Sequence, residues 1–194
     1  MKLAKKIMLL TFSLLLIIIA GGDSDGQERG SRELVILFTH DLHSYLLPHK
    51  VLTQDGQQVQ QGGYAKLAYV IKEQRTYQQN KTLRVDAGDF SMGTLFHTSF
   101  LKEASELRLM GKMGYDVATF GNHDFDFHAE GLAKMLQTAR SKSQQLPALV
   151  ASNIIFSRND PGDAALKQAF KDYPVKDYMA VSYTHLTLPT TPYV

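Results

Sequence analysis

Beyond residue 33 the chain alternates between two hydrophobic periods. Leu34 to Phe38 (LVILF) is an unbroken apolar run, suited to a strand buried on both faces. Tyr64, Leu67, Ala68 and Ile71 then recur at i, i+3, i+4 and i+7, the stripe of an amphipathic helix. A second short strand is predicted at Leu83 to Asp86. Leu107, Met110 and Met113 mark a second helix ending near Gly114, and Asp116 to Phe120 reads as a third strand. Leu132, Met135, Leu136 and Ala139 repeat the helical spacing, and Pro147 to Asn153 reads as a fourth strand. This alternation implies an α/β fold, a mostly parallel sheet flanked by helices. Between Val51 and Gly63 a glutamine-rich stretch predicts a surface hairpin or loop, with Asp55 and Gly56 as its turn. There is no internal repeat and no low-complexity block.

The first 22 residues break this rhythm. A lysine-bearing start (Lys2, Lys5, Lys6), an apolar run from Ile7 to Ala20 and small residues at Ala20, Gly21 and Gly22 have the layout of a secretory signal, expected over 1–22. The run is shorter than the roughly 20 residues a hydrocarbon span requires, so no stable membrane span is expected. The expected location is exported, periplasmic or extracellular, with membrane association through an uncleaved leader as the alternative. Residues 23–33 are polar and glycine-containing and read as a linker. The formal charge of +2 comes from the leader: without its three lysines, 18 basic residues face 19 acidic ones. No basic stripe remains to suggest nucleic acid as a partner. The chain has no cysteine, which excludes disulfides, thiolate metal sites and a lipid-modified cysteine after the leader. A metal here must be held by His, Asp, Glu, Asn or water, which favours Zn, Mn, Fe or Mg.

In a parallel sheet the loops at the carboxyl ends of the strands gather into one place. FTHDLH follows the first predicted strand, DAGDF the second and GNHDFD the third, while Ser152 and Asn153 close the fourth. Asp41 and His43, two residues apart in a loop, can address one ion; the alternative is a turn carboxylate beside a surface histidine. Asp89 follows Gly88, which permits close backbone approach, and its two oxygens can bridge two cations; alternatively it caps the next turn. Asp86 lies inside the strand pattern and reads as a supporting or structural carboxylate. Asn122 would be a neutral carbonyl donor that leaves a cation strongly Lewis-acidic. If the backbone there is extended, His123 points the other way, toward a substrate, with Asp124 to orient or electrostatically support it. The alternative for this stretch is a helix start, with Asp124 or Asp126 capping exposed amides.

FTHDLHSYL, VDAGDF and FGNHDFDF resemble, in order and spacing, the D-x-H, G-D and G-N-H-[DE] blocks of the calcineurin-like metallophosphoesterases. Within that family the bacterial 5'-nucleotidase group reads GNHEFD where this chain reads GNHDFD. The likeness runs from about Leu34 to Asn153. It implies a layered sheet-and-helix metallophosphoesterase domain over 34–180 that binds two divalent metal ions and hydrolyses phosphoesters, with an extracytoplasmic nucleotide as substrate. Asp41 and His43 would hold the first metal, Asp89 would bridge, and Asn122 would hold the second. His123 would contact the phosphate with Asp124 in support, so Asn122 and His123 would also bind substrate. His40 stands where the group often has Asn and is not assigned as a ligand, and His49, His97 and His128 match no ligand position. The family completes its site with later histidines, including a G-H-x-H block, and with a C-terminal nucleotide-binding domain. His185, in VSYTHLTLPTTPYV, does not have that form, and the Thr- and Pro-rich ending over 181–194 is expected to be a non-native tail. The chain is therefore expected to be an N-terminal part of the domain, poorly active alone. A non-catalytic exported binding module that keeps the fold is the alternative.

Overall fold

The computed structural model describes residues 15–18, 34–77, 82–157, 160–183 and 186–190, with only the backbone described at 15–18, 77, 183 and 186–190. Most of the expected leader, the linker over 23–33, His185 and the last four residues lie outside them. In chain order the elements are β1 (Leu15–Ile18), β2 (Val35–Thr39), β3 (His49–Leu52), β4 (Gln58–Gln61), α1 (Tyr64–Tyr77), β5 (Thr82–Asp86), α2 (Phe100–Glu103), α3 (Ser105–Met113), β6 (Val117–Ala118), α4 (His128–Lys142), β7 (Ala148–Leu149), α5 (Ala164–Asp172), β8 (Met179–Tyr183) and β9 (Leu186–Thr190). Single 3-10 turns occur at Leu95–Ser99, His123–Phe125 and Pro161–Asp163.

The main sheet has the order β1-β2-β5-β6-β7. Its last four strands are parallel, in register Val35↔Thr82, Val85↔Val117 and Val117↔Ala148, and β1, inside the expected leader, forms an antiparallel edge. The parallel strands follow one another in sequence order, each reached through helical chain, as the alternating pattern requires. β3 and β4 form the expected exposed hairpin. Its turn closes by Gly56 N–H donating to Thr53 O at 3.0 Å, with Gly56 at φ +79°.

The core is one contiguous cluster. Val35 and Leu37 of β2, Leu107 and Met110 of α3, Leu132, Met135 and Leu136 of α4, and Leu149 of β7 are all buried within it. Each such side chain contributes roughly 1.5–3 kcal/mol by leaving water. α3 ends where expected: Gly114 takes the left-handed conformation and its N–H donates to the Met110 and Gly111 carbonyls.

Three expectations need correction. β2 is not buried on both faces: Val35, Leu37 and Thr39 are buried while Ile36 and Phe38 are half-buried, so only one face is fully covered among the described residues. The third and fourth strands pair over only two residues each, because the chain beyond β6 turns into the His123–Phe125 helical turn and that beyond β7 enters a turn at 152–153. α5 was not anticipated, although Leu166, Ala169 and Phe170 are its buried stripe at i, i+3 and i+4. The β8–β9 hairpin spans the expected boundary at 181 and stands outside the main sheet. No described helix is long and apolar enough to cross a membrane.

Candidate metal centre

Three loops leave the carboxyl ends of β2, β5 and β6 side by side, and their backbones are tied together. Asp41, His43 and Ser44 N–H groups donate to the carbonyls of Gly88, Asp89 and Phe90 at 3.0, 3.0 and 2.9 Å, and Ala87 N–H donates to Thr39 O at 2.9 Å. The first two loops therefore continue the β2–β5 ladder past the end of the sheet. Their conformation is unusual: Asp41, His43, Ser44, Asp89 and Met92 all have positive φ, from 45° to 69°. Each such residue costs about 1–3 kcal/mol and persists only where its surroundings fix it. The second and third loops touch back to back at two glycines. A Cβ on Gly88 would lie 2.3 Å from Gly121 N, and one on Gly121 would lie 2.2 Å from Asp89 Oδ1.

Asp41, His43 and Asp89 come together there, each with a ligand atom within 4.8 Å of the others. His43 Nε2 is 3.6 Å from Asp41 Oδ1. His43 Nδ1 lies 3.2 Å from the Ser91 carbonyl, which can only accept, so Nδ1 carries the proton and the Nε2 lone pair is left for a cation. Asn122 sits against Asp89. With its amide nitrogen inward it donates to Asp89 Oδ2 at 3.1 Å and its oxygen accepts from His123 N–H at 3.3 Å. With its oxygen inward, two acceptors face each other, an arrangement satisfied by a cation between them. One imidazole nitrogen, two carboxylates and one amide oxygen form a donor set that suits Zn, Mn, Fe or Mg. The residues thus fit a divalent cation.

The backbone at Asn122 is helical (φ −67°, ψ −37°), which matches the alternative of a helical start rather than the extended condition, and His123 opens a 3-10 turn. Its N–H donates to Asp89 Oδ1 at 2.8 Å, and its ring meets the His43 ring edge-on at 5.4 Å between centroids. The helical turn also decides which carboxylate supports it. Residues three apart share a face, so His123 Nδ1 meets Asp126, 3.1 Å from Oδ2, and this bond raises the His123 pKa above its ordinary value.

Asp124, expected to orient or electrostatically support His123, is fully buried and makes its hydrogen bonds elsewhere. Its Oδ2 accepts from the N–H groups of Asp89 and Gly121 at 3.0 and 2.9 Å, and its Oδ1 from Ser91 N–H and Oγ–H at 3.1 and 2.7 Å. It binds the second and third loops together and reaches His123 only as a more distant negative charge. Burial pushes its pKa up to about 6 against those bonds. Asp86, buried below, accepts from Thr39 Oγ–H at 2.6 Å and Gly88 N–H at 3.1 Å, and desolvation raises its pKa to about 7. It is a structural carboxylate.

Asp41, His43, Asp89, Asn122 and His123 are therefore neighbours, and Asp124 lies beneath them. Ser152 and Asn153 lie in an exposed turn. His40 Nδ1 is 2.5 Å from Asp41 Oδ2, and His97 stacks on Phe127 at 4.8 Å while its Nδ1 accepts from Met92 N–H. Sequence reasoning missed the pairing role of Asp126 and the backbone carbonyl of Ser91. A helical reading of NHDFD would have found the first, since i and i+3 then coincide; no side-chain pattern signals the second.

A parallel sheet whose strand-end loops present a D-x-H pair, a glycine-flanked aspartate and an Asn-His turn defines a metallophosphoesterase-type domain. No family model matches the chain. It is 34% identical over 151 residues to the NAD 5'-nucleotidase of Haemophilus influenzae, covering 76% of this chain and 24% of that protein. It is 39% identical over 110 residues to a probable 5'-nucleotidase of Treponema pallidum, covering 55% of this chain and 18% of that one. Among solved structures, the NAD nucleotidase of Haemophilus influenzae superposes with TM-score 0.63 at 27% identity, over 80% of this chain and 25% of that one. A 5'-nucleotidase precursor from Thermus thermophilus gives TM-score 0.62 at 25% identity, over 80% and 27%. These likenesses support the resemblance to the calcineurin-like metallophosphoesterases, with 5'-nucleotidases as the relatives matched. It spans about a quarter or less of the length of these relatives.

Proposed function

We propose that this chain supplies the metal-binding N-terminal part of an exported hydrolase that cleaves phosphoesters, with nucleotides outside the cytoplasm as its substrates. The observation that carries the reading is the convergence of Asp41, His43 and Asp89 within 4.8 Å, with Asn122 against Asp89. Asp41 and His43 would hold the first of two divalent ions, Asp89 would contribute to both, and Asn122 would hold the second. Divalent ions held there would supply Lewis acidity, polarising a phosphoryl group and acidifying water.

The chain's own groups do the rest. Ser91 O holds the His43 ring in the tautomer that leaves Nε2 free. Asp126 engages His123 Nδ1, which leaves Nε2 as the proton-bearing atom directed to substrate and keeps the ring cationic to higher pH. Protonated His123 donates to a phosphoryl oxygen or to the leaving oxygen as charge builds there. Asp124 contributes by fixing the two loops. The four ligands named among the described residues fill only part of two coordination shells. Nucleotide preference and action outside the cytoplasm rest on the relatives' names and on the leader-like first 22 residues.

The test is hydrolysis of nucleoside 5'-monophosphates by the full-length gene product with Mn²⁺ or Zn²⁺ present. Asp89→Asn and His123→Ala are each expected to lower kcat/KM by about 100-fold or more. Hydrolysis unchanged by both substitutions overturns the enzyme reading and leaves a binding module.

A further inference from the structure

Ser44 follows the ligand His43 and is itself completely buried in the left-handed conformation, φ 53°. Nothing in the metal chemistry requires a serine there. Its hydroxyl donates to Glu106 Oε1 at 2.7 Å, and Glu106, in the first turn of α3, is also completely buried. The other carboxylate oxygen accepts from Ser105 Oγ–H at 3.1 Å, and Ser105 Oγ is hydrogen-bonded to Ser99 Oγ. Ser44 is gripped from its backbone as well: its N–H donates to Phe90 O at 2.9 Å, and its carbonyl accepts from Thr94 Oγ–H at 2.6 Å and from Leu46 N–H at 2.7 Å.

A buried carboxylate whose bonds among the described residues come from serine hydroxyls and not from a cation is an expensive way to fill core space. An apolar residue would pack the same helix position at less cost. What the carboxylate provides is a rigid, strong acceptor on a helix, aimed at the one residue that ends the strained Asp41–Ser44 turn. Ser99 and Ser105 in turn fix the carboxylate's rotation. The chain of contacts runs from α3 through Glu106 and Ser44 to the His43 backbone, and so to the position of Nε2.

We propose that Glu106 is a positioning residue for the metal centre, acting through Ser44 to hold the left-handed turn that brings His43 to Asp41 and Asp89. This rests on the metal-binding reading of those three residues. Loss of the Ser44–Glu106 bond lets the turn relax and swings the imidazole away from the carboxylates, so cation affinity falls even though no ligand has changed.

The test uses Ser44→Ala, Glu106→Gln and the double variant, with Mn²⁺ affinity measured by calorimetry and folded fraction by circular dichroism. Ser44→Ala removes the bond and keeps the charge; Glu106→Gln keeps an acceptor of the same shape and removes the charge. Ser44→Ala is expected to weaken Mn²⁺ binding by about 10-fold or more, the usual effect of an outer hydrogen-bond partner. Glu106→Gln should recover most of the wild-type affinity, and adding it to Ser44→Ala should cost little more than Ser44→Ala alone. A role confined to stability would lower the melting temperature and leave the affinity of folded molecules unchanged within twofold, which overturns the proposal. So does a loss seen with Glu106→Gln alone, because it would mark a distant charge effect.

A second readout does not depend on metal. In metal-free protein the His43 Nδ1–H proton, bonded to Ser91 O, should give a slowly exchanging NMR signal that Ser44→Ala abolishes; an unchanged signal counts against the proposal. If the wild-type protein binds no Mn²⁺, the metal-centre reading fails, and this signal still decides whether Glu106 and Ser44 position His43.

Discussion

Gly121→Ala is the sharpest probe of how the loops are assembled. The added Cβ would stand 2.2 Å from Asp89 Oδ1, 2.4 Å from its Cγ and 2.5 Å from its backbone nitrogen. Non-bonded heavy atoms prefer about 3.5 Å, so Asp89 must retreat by roughly 1 Å. That displacement pulls at two of the bonds that fix the residue: His123 N–H to Oδ1 at 2.8 Å, and Asp89 N–H to Asp124 Oδ2 at 3.0 Å. Hydrogen bonds to charged groups contribute about 1.5–3 kcal/mol each, so losing both destabilises the fold by about 3–6 kcal/mol. A misplacement of about 1 Å is also enough to weaken a positioned site about 100-fold, here read as Mn²⁺ affinity. Urea unfolding and calorimetric titration measure the two effects. Gly56→Ala is the control: Gly56 also has positive φ (79°) but open space around its Cβ position, so only backbone strain of about 1 kcal/mol is expected, with affinity unchanged. If Gly121→Ala matches Gly56→Ala in both assays, the close approach of the loops is not what holds Asp89, and the reasoning fails.

Asp126→Asn should lower the pKa of His123, whose elevation is due first to this bond. Because the folded-state pKa is raised, the pair's contribution is complete at low pH and is lost as pH rises through the raised value. The variant should therefore lose the imidazolium, and the activity that depends on it, at lower pH than wild type; identical NMR titrations of the His123 ring would refute this. Asp86→Asn should act on stability in the opposite sense from an ordinary carboxylate substitution. Asp86 is raised from 3.8 to about 7, so its neutral form is favoured in the folded protein, and stability is lost as pH rises from near 4 through 7. At pH 8 that loss amounts to about 4 kcal/mol, which an amide avoids while still accepting from Thr39 or Gly88. Metal-free urea unfolding at pH 5 and pH 8 should show Asp86→Asn gaining on wild type as pH rises, and equal pH slopes would contradict it.

Where apolar period and strand ends decide the outcome, the sequence was legible. α1, α3 and α4 fall where their stripes predict, and the parallel order of β2, β5, β6 and β7 follows from their alternation with helices. The clustering of Asp41, His43 and Asp89 follows from the same order, because residues at the carboxyl ends of adjacent parallel strands must be close. What could not be read was local backbone conformation. Whether Asn122 sits in extended or helical backbone decides whether Asp124 or Asp126 meets His123, and a five-residue polar stretch has no period long enough to tell. The half-covered face of β2 was equally hidden, since an apolar run looks the same whether one face or both are packed.

The positive-φ residues explain why the acids beneath the site are there. Five non-glycine residues in the first two loops hold a conformation that a free peptide would leave, and the extended β2–β5 ladder accounts only for their backbone bonds. Three buried carboxylates meet those loops from below, and each takes a different part. Asp86 ties Thr39 at the end of β2 to Gly88, Asp124 ties Asp89 and Ser91 to Gly121, and Glu106 ties Ser44 to α3. Burying three acids with no cation bonded to them among the described residues is costly, and burial raises the pKa of both Asp86 and Asp124. Acceptors this strong suit strained loops, because a carboxylate oxygen can hold two donors at once, as both oxygens of Asp124 do. Divalent cations above the loops would also favour the ionised form of acids so near, so occupancy of the centre and rigidity of its support reinforce each other.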